Sequence, residues 1–303
     1  MNNMVVMKFG GASIANGERM LHVAKVIQKF GRKKKILVIV SAMQGVTDNL
    51  IALFQRYKTG KIAEGAHAIQ MLRQMHVNTL GELKLNKEEY RHVEKSVSDL
   101  FEELNSYLTG HDAYTLSDCD YILSFGERVS SYLVAAALKR YGIQADVVDA
   151  SSIIVATEAY SNARVFLGPT RIKSRKVLLP LLANKIVPVV TGFFASTKRG
   201  AIVTLGRGGS DYSATVLANA LSATEVILWK EVDGVFGEDP KKNSQAKLYL
   251  RLSYKRAMDL ARKGAKVLHP EAIKPAAAKG IVIWVRNIFR PDFAGTKIWE
   301  EVI

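Results

Sequence analysis

Residues 35–41 read KILVIVS, an unbroken aliphatic and mostly β-branched run. A strand with one face in water alternates apolar and polar residues, so an uninterrupted run marks a strand covered on both faces, as in a parallel sheet packed between helices. Parallel neighbours cannot be joined by tight turns, and helices must therefore alternate with strands. The chain supplies that alternation. Residues 4–9 form a second apolar run ending in Gly10-Gly11, and residues 16–30 carry apolar side chains at helical spacing (Met20, Leu21, Val23, Ala24, Val26, Ile27). Another helix is expected to begin near Val46. Two strand–helix units in the opening segment point to an α/β fold.

Further along, residues 57–108 become rich in Lys, Glu, Gln, His and Leu at helical spacing, with no convincing strand, and read as a helical insertion. The alternation then resumes. Residues 118–141 read as a helix broken early by Gly126, 144–149 as a strand, 151–171 as a short hairpin beside a substrate, and 180–185 as the close of a helix. Residues 187–194 and 200–205 read as strands, the second delivering the chain to GRGGSD, and 211–221 as an Ala-rich helix. A strand at 225–229 leads into the polar loop KEVDGVFGEDPKK, where a ligand contact is expected because the loop follows a sheet strand. Helices at 253–262 and 270–279 precede a final core strand at 281–285. The 303 residues suit one domain of two closely packed lobes, about 1–200 and 201–303, with the insertion near 57–110 in the first.

Composition narrows the function classes. Hydrophobic residues at 48% and charged residues at 23% are ordinary for a globular protein. The one cysteine, Cys119, cannot form an intramolecular disulfide and has no second ligand at metal spacing, so it reads as a small apolar filler in a reducing compartment. The start MNNMVVMKFGG has no secretory pattern, and the apolar runs are far short of the roughly 20 residues of a membrane helix, so a cytoplasmic protein is expected. The 43 Lys and Arg against 28 Asp and Glu give a formal charge of +15. These cations fall in short clusters at 32–35, 173–176, 198–199, 241–242 and 255–256 with no aromatic platform between them. That pattern reads as solvated surface charge, helped by anionic substrates, rather than a nucleic-acid site.

Two glycine loops carry the chemistry: Lys8-Phe9-Gly10-Gly11 and Gly206-Arg207-Gly208-Gly209-Ser210-Asp211. Each follows a strand and precedes a helix, so backbone N–H groups can approach a phosphate whose charge the helix N-terminus favours. Neither fits the P-loop or the dinucleotide fingerprint, and a different nucleotide fold is implied. Lys8 can supply a point charge to a transferring phosphoryl group, and Asp211 could orient basic groups or hold Mg²⁺. Taken singly, Lys8 could be a strand-end surface residue and Asp211 a helix cap; their joint occurrence favours function.

The ordered segments KFGGAS (8–13), VIVSAMQGVTDNL (38–50), SFGERVSS (124–131), VPVVTGFFAS (187–196), TLGRGGSDYSAT (204–215), EVDGVF with EDP (231–240), GAKVLHPEAIKPA (264–276) and VRNIF (285–289) resemble the catalytic domain of aspartate kinases over nearly the whole chain. The resemblance implies the amino acid kinase (carbamate kinase-like) fold, a three-layer α/β/α sandwich with a mainly parallel central sheet. It implies ATP and Mg²⁺ as cofactors, L-aspartate as acceptor and 4-phospho-L-aspartate as product, on the route to lysine, threonine and methionine. Ser41 and Thr47 would line the amino-acid pocket, Glu127 would pair with the substrate ammonium, Arg207 would grip the α-carboxylate, and Ser210 would add a hydroxyl. Lys8, Gly10 and Gly11 would meet the γ-phosphate, and Asp211 would organise the phosphoryl centre. Gly208, Gly209, Lys230, Glu231, Phe236, Lys241 and Lys266 would serve the nucleotide. No residue is assigned as a dedicated metal ligand, and a homo-oligomer is expected.

The match departs at Ala12, where the family usually has Thr, at Lys230-Glu231 in place of Thr-Asp, at Phe236 in place of Tyr, and at Lys241 in place of Arg. These changes fall on the nucleotide side. Small ligand-sensing ACT domains, which aspartate kinases commonly carry after the kinase domain, are not expected, nor is feedback inhibition through them. A kinase of another small amino acid such as homoserine, or a non-catalytic regulatory or nucleic-acid-binding homologue, stands as the alternative.

Overall fold

The computed structural model describes residues 3–31, 34–111, 113–238, 243, 245–262 and 268–300. In chain order the elements begin with β1 (Met4–Phe9), α1 (Gly17–Gly31), β2 (Lys35–Val40), α2 (Val46–Lys58), α3 (Ile62–Glu82), α4 (Lys87–Thr109) and α5 (Leu116–Arg140). Then come β3 (Ala145–Val148), α6 (Leu167–Ala183), β4 (Val187–Thr191), β5 (Phe194–Ser196), β6 (Ile202–Thr204), α7 (Gly209–Leu221) and β7 (Glu225–Lys230). The chain continues through β8 (Val235–Phe236), β9 (Leu248–Tyr249), β10 (Arg251–Ser253), α8 (Tyr254–Arg262), α9 (Pro270–Ala277), β11 (Val282–Asn287) and β12 (Thr296–Trp299).

Eight strands form one sheet in the order β10-β12-β11-β7-β1-β2-β4-β3. Every pair from β11 to β3 is parallel, and β12 turns antiparallel onto β11 with β10 beside it. All six residues of β1 are buried, and so are five of six in β2, as continuous apolar runs require. Alternation sorts them into two cores. Val5, Met7, Phe9, Val38, Val40 and Trp229 join the apolar faces of α1 to α5, while Met4, Val6, Leu37, Ile39, Val226 and Leu228 join those of α6 to α9. The result is the expected α/β/α sandwich with a mainly parallel sheet. The stretch read as a helical insertion is α3 and α4, packed on α2 and α5.

Three expectations need correction. Gly126 does not break its helix: α5 runs through it, because a Cβ there would stand 2.7 Å from the Cβ of Ala42, and glycine lets the helix close onto the end of β2. The strand expected over 187–194 ends at Thr191, since Phe193 adopts φ +73° and reverses the chain into β5, which pairs with β6 outside the main sheet. The strand after α9 is not the last, for β12 follows it and lies between it and the edge strand β10. Around 151–171 the expected hairpin is minimal: one antiparallel bridge between Ala156 and Val165, flanked by the backbone bonds of Thr157 N–H to Arg164 and Phe166 N–H to Val155. Buried Asp120 of α5 holds that loop, accepting from the backbone N–H of Ser161 and of Thr204, each at 2.8 Å.

Candidate active site

Strand parity decides which side chains meet at the carboxyl end of the sheet. Lys8 follows Met4 and Val6 onto the α7 face of β1. In the parallel register Lys8 lies opposite Leu228, and Lys230 follows Val226 and Leu228 on that same face of β7. From β1 the chain passes through α1 to β2 on one side, whereas β7 borders β1 on the other. Such a switch point leaves a crevice beyond the strand ends, the usual place for a ligand in an open α/β sheet.

α7 begins in that crevice, two residues earlier than expected, so Ser210 and Asp211 occupy its first turn. Lys8 Nζ lies 2.6 Å from Asp211 Oδ1 and Lys230 Nζ 2.7 Å from Oδ2. Burial alone would raise the Asp211 carboxyl, but Lys230 and Lys8 outweigh it and hold it at about 2. Burial, reinforced by Lys230 and opposed by Asp211, lowers the Lys8 ammonium below its usual value. Gly208 caps the helix at φ +74°, and a Cβ on it would lie 2.7 Å from the Cβ of His269. Gly209 is equally constrained, by the ring of Phe193. The second loop thus needs its glycines for both conformation and close approach.

The first loop and α5 build the adjoining half. Because Gly126 lets α5 approach, Glu127 Oε1 accepts the Ala42 backbone N–H at 2.8 Å. Oε2 of this buried carboxyl has no partner. Burial pushes Glu127 up to about 8, against the Ala42 N–H, its own backbone N–H and the nearby Lys8 charge. Ser41 Oγ donates to Ser210 Oγ at 3.0 Å, tying the end of β2 to the start of α7, and Ser130 Oγ donates to the Ser41 carbonyl at 2.6 Å. Gly11 packs on the Ala42 carbonyl, where a Cβ would come within 2.6 Å. Thr47, half-buried, stands in the first turn of α2, and Arg207 is exposed at the second loop with no ion pair among the described residues.

The remaining nucleotide-side expectations divide. Lys230 joins the Asp211 cluster. Glu231 pairs with Arg19 Nη1 at 2.5 Å; that same nitrogen donates to the Ala12 carbonyl, and the guanidinium lies 5.1 Å from the Phe289 ring centroid. Phe236 sits on β8 opposite Leu248 and touches none of these groups in a bond or ring contact. Lys241 and Lys266 lie outside the described residues.

A family model described as the amino acid kinase family matches residues 3–287. The chain belongs to that family. It is 36% identical over 97% of its length to aspartokinase 3, chloroplastic, of Arabidopsis thaliana, covering 52% of that protein. It is 31% identical over 99% of its length to lysine-sensitive aspartokinase 3 of Escherichia coli (strain K12), covering 65% of it. The structure of E. coli aspartokinase III in complex with aspartate and ADP matches 99% of this chain with a TM-score of 0.90 at 28% identity, the match covering 65% of that chain. The chain therefore spans from about half to two thirds of the length of these relatives.

Within this member of the amino acid kinase family, several site-building residues carried no distinctive signal in the sequence. Ala42 contributes only its backbone N–H, which any residue would offer. Gly192 is needed because a Cβ would lie 2.7 Å from that of Ser210 and 2.8 Å from the Val40 carbonyl, a contact between segments far apart in the chain. Arg19, on the outer turn of α1, looks like ordinary surface charge until the fold brings Glu231 to it. The pairing of Lys230 with Asp211 could have been read from the parity of Leu228 and Lys230, given the strand order. Among the described residues no helix is long and apolar enough to cross a membrane.

Proposed function

We propose that this amino acid kinase is an aspartate kinase, transferring the γ-phosphoryl group of ATP to the side-chain carboxylate of L-aspartate to give ADP and 4-phospho-L-aspartate. The observation that carries the reading is the unpartnered Oε2 of buried Glu127 beside the Lys8–Asp211–Lys230 cluster. A buried carboxyl oxygen with no donor suits an incoming ammonium, and the nearby cations, of which Lys8 is felt by Glu127, suit a phosphate. The names of the relatives favour aspartate as the acceptor.

In this reading Glu127 receives the α-ammonium, exposed Arg207 closes on the α-carboxylate, and Ser41, Thr47 and Ser210 line the pocket. Gly10, Gly11, Gly208 and Gly209 let backbone N–H groups approach the phosphates, and Phe236, Lys241 and Lys266 serve the nucleotide. A carboxylate oxygen of the substrate attacks the γ-phosphorus as the bond to the β,γ-bridging oxygen breaks; the electron pair leaves with ADP. No proton need move, so positioning and charge neutralisation supply the rate.

Asp211 does not fit a Mg²⁺ ligand, because both its oxygens are engaged by lysines. Among the described residues no group of three or more His, Cys, Asp or Glu could hold a metal. Mg²⁺ would enter on the ATP phosphates, as is usual where the nucleotide supplies most of its ligands. A cytoplasmic setting suits a chain whose one thiol, Cys119, is half-buried and raised by that burial above its usual value.

The test is ADP release from Mg-ATP over a panel of amino acids, with and without hydroxylamine to trap an acyl phosphate. Turnover with aspartate and formation of the hydroxamate are expected. Turnover with homoserine instead, giving no hydroxamate, would move the acceptor to a hydroxyl; no turnover on any amino acid, with salt-dependent binding to DNA or RNA, would favour the non-catalytic alternative.

A further inference from the structure

Among the described residues the charges around Asp211 do not balance. Lys8 and Lys230 bring two positive charges to one carboxylate, with side-chain exposures of 7% and 22% against 5% for Asp211. The N-terminus of α7 adds the positive end of its dipole at the same point. Lys8 alone would neutralise Asp211, so Lys230 is in excess of what the carboxylate needs. Glu127, the other buried carboxyl nearby, is engaged with the Ala42 N–H and does not pair with Lys230. Excess charge in a largely enclosed place favours a counter-ion.

The spare hydrogen-bonding capacity points the same way. An ammonium has three donors; Lys230 gives one to Asp211 Oδ2, Lys8 is ion-paired with Oδ1, and among the described residues neither donates elsewhere. Gly10 lies beside the Lys8 ammonium: a Cβ there would stand 3.7 Å from Nζ, in ordinary van der Waals contact. Two ammoniums held on the two oxygens of a single carboxylate can both reach one tetrahedral anion. A phosphoryl group in transfer is such an anion, with charge spread over three oxygens.

We propose that Lys230 is a catalytic residue that grips the transferring phosphoryl group together with Lys8, with Asp211 as the strut that spaces the two ammoniums. The inference rests on the ATP-dependent reading above and goes beyond nucleotide binding by placing Lys230 at the γ-phosphoryl group. Lys230 donates hydrogen bonds throughout; it transfers no proton and forms no covalent bond. Its neighbour Glu231, held by Arg19, anchors the backbone that carries it.

Lys230→Met keeps most of the stem and removes the charge. Calorimetric titration of wild type and variant with AMP-PNP and with ADP, alongside steady-state turnover, separates the roles. For the variant, AMP-PNP binding should weaken by about 10- to 100-fold, the worth of one charge-assisted hydrogen bond, while ADP binding stays within about twofold. The turnover number should fall at least as far with the KM for aspartate unchanged, and Lys230→Arg should recover part of it. Equal weakening of both nucleotides, or of neither, would overturn the proposal, since a purely structural partner of Asp211 would not distinguish them. If Lys230→Met does not melt as a folded protein, Lys230→Gln carries the same comparison. Should wild type prove inactive on aspartate, the acceptor reading fails; a loss confined to AMP-PNP in the variant would still sustain Lys230.

Discussion

Two buried carboxyl groups stand side by side in this crevice and are treated in opposite ways. Asp211 has an ammonium on each oxygen and is held ionised, at about 2. Glu127 has one backbone donor and one bare oxygen, and burial holds it near 8. The phosphoryl half is therefore charge-rich and preorganised before any ligand arrives, whereas the amino-acid half is left incomplete for an ammonium to finish. Preorganised charge acts on rate; an unfinished pair acts on affinity.

The widest split should come from Asp211→Asn. It leaves two buried lysines sharing a neutral amide, so turnover should fall by about 10²- to 10³-fold. Folding stability should drop by about 3–5 kcal/mol, read by denaturant titration, because buried charges lose their partner. Lys8→Ala should cost a similar factor in turnover with less effect on stability, and full activity in that variant would remove the first loop from the phosphoryl centre. Glu127→Gln belongs to the other half: the KM for aspartate should rise about 10- to 100-fold with little change in turnover number. A matching loss of turnover would merge the two halves. Arg207→Lys, which keeps charge but loses the planar fork, should raise the same KM by about tenfold or less.

The smallest effect sharpens the contrast through pH. Glu127 is uncharged below about 8 and an ammonium prefers the carboxylate, so aspartate should bind more tightly as pH rises toward 8, releasing a proton. Calorimetry in buffers of different ionisation enthalpy reads that release, and Glu127→Gln should abolish it. For stability, a carboxyl raised from 4.5 to about 8 contributes in full below the lower value and loses that contribution as pH rises through the upper one. The melting temperature of wild type should thus fall relative to Glu127→Gln from pH 5 to 9. Asp211, lowered from 3.8 to about 2, works the other way: its contribution is present above the upper value and is lost only as pH falls through the lower.

Much of the site was legible because its residues sit in runs whose local physics is unambiguous. The apolar runs of β1 and β2, the glycines after them, and the Gly-Gly-Ser-Asp start of α7 each announce a strand end or a helix start. Other features were illegible for equally physical reasons. Gly126 looks like a helix breaker because propensity sees no neighbour, yet Ala42 requires a residue without Cβ there. β10 at the sheet edge and β12 beside it are short strands with half-exposed residues, and little in their sequence separates them from loop. The resemblance assigns Lys230 to the nucleotide, whereas the register of β7 against β1 aims it at Asp211.

The sequence by itself determined the layer order, the buried strands, the two glycine loops and the chemical types available at their ends, because hydrophobic period and backbone freedom act over a few residues. Only the tertiary structure decided that both Asp211 oxygens are taken, that Glu127 keeps one oxygen bare, and that Arg19 reaches Glu231. Those outcomes depend on strand order, on register and on how closely α5 approaches Ala42, and each joins residues whose separation along the chain no local rule can span.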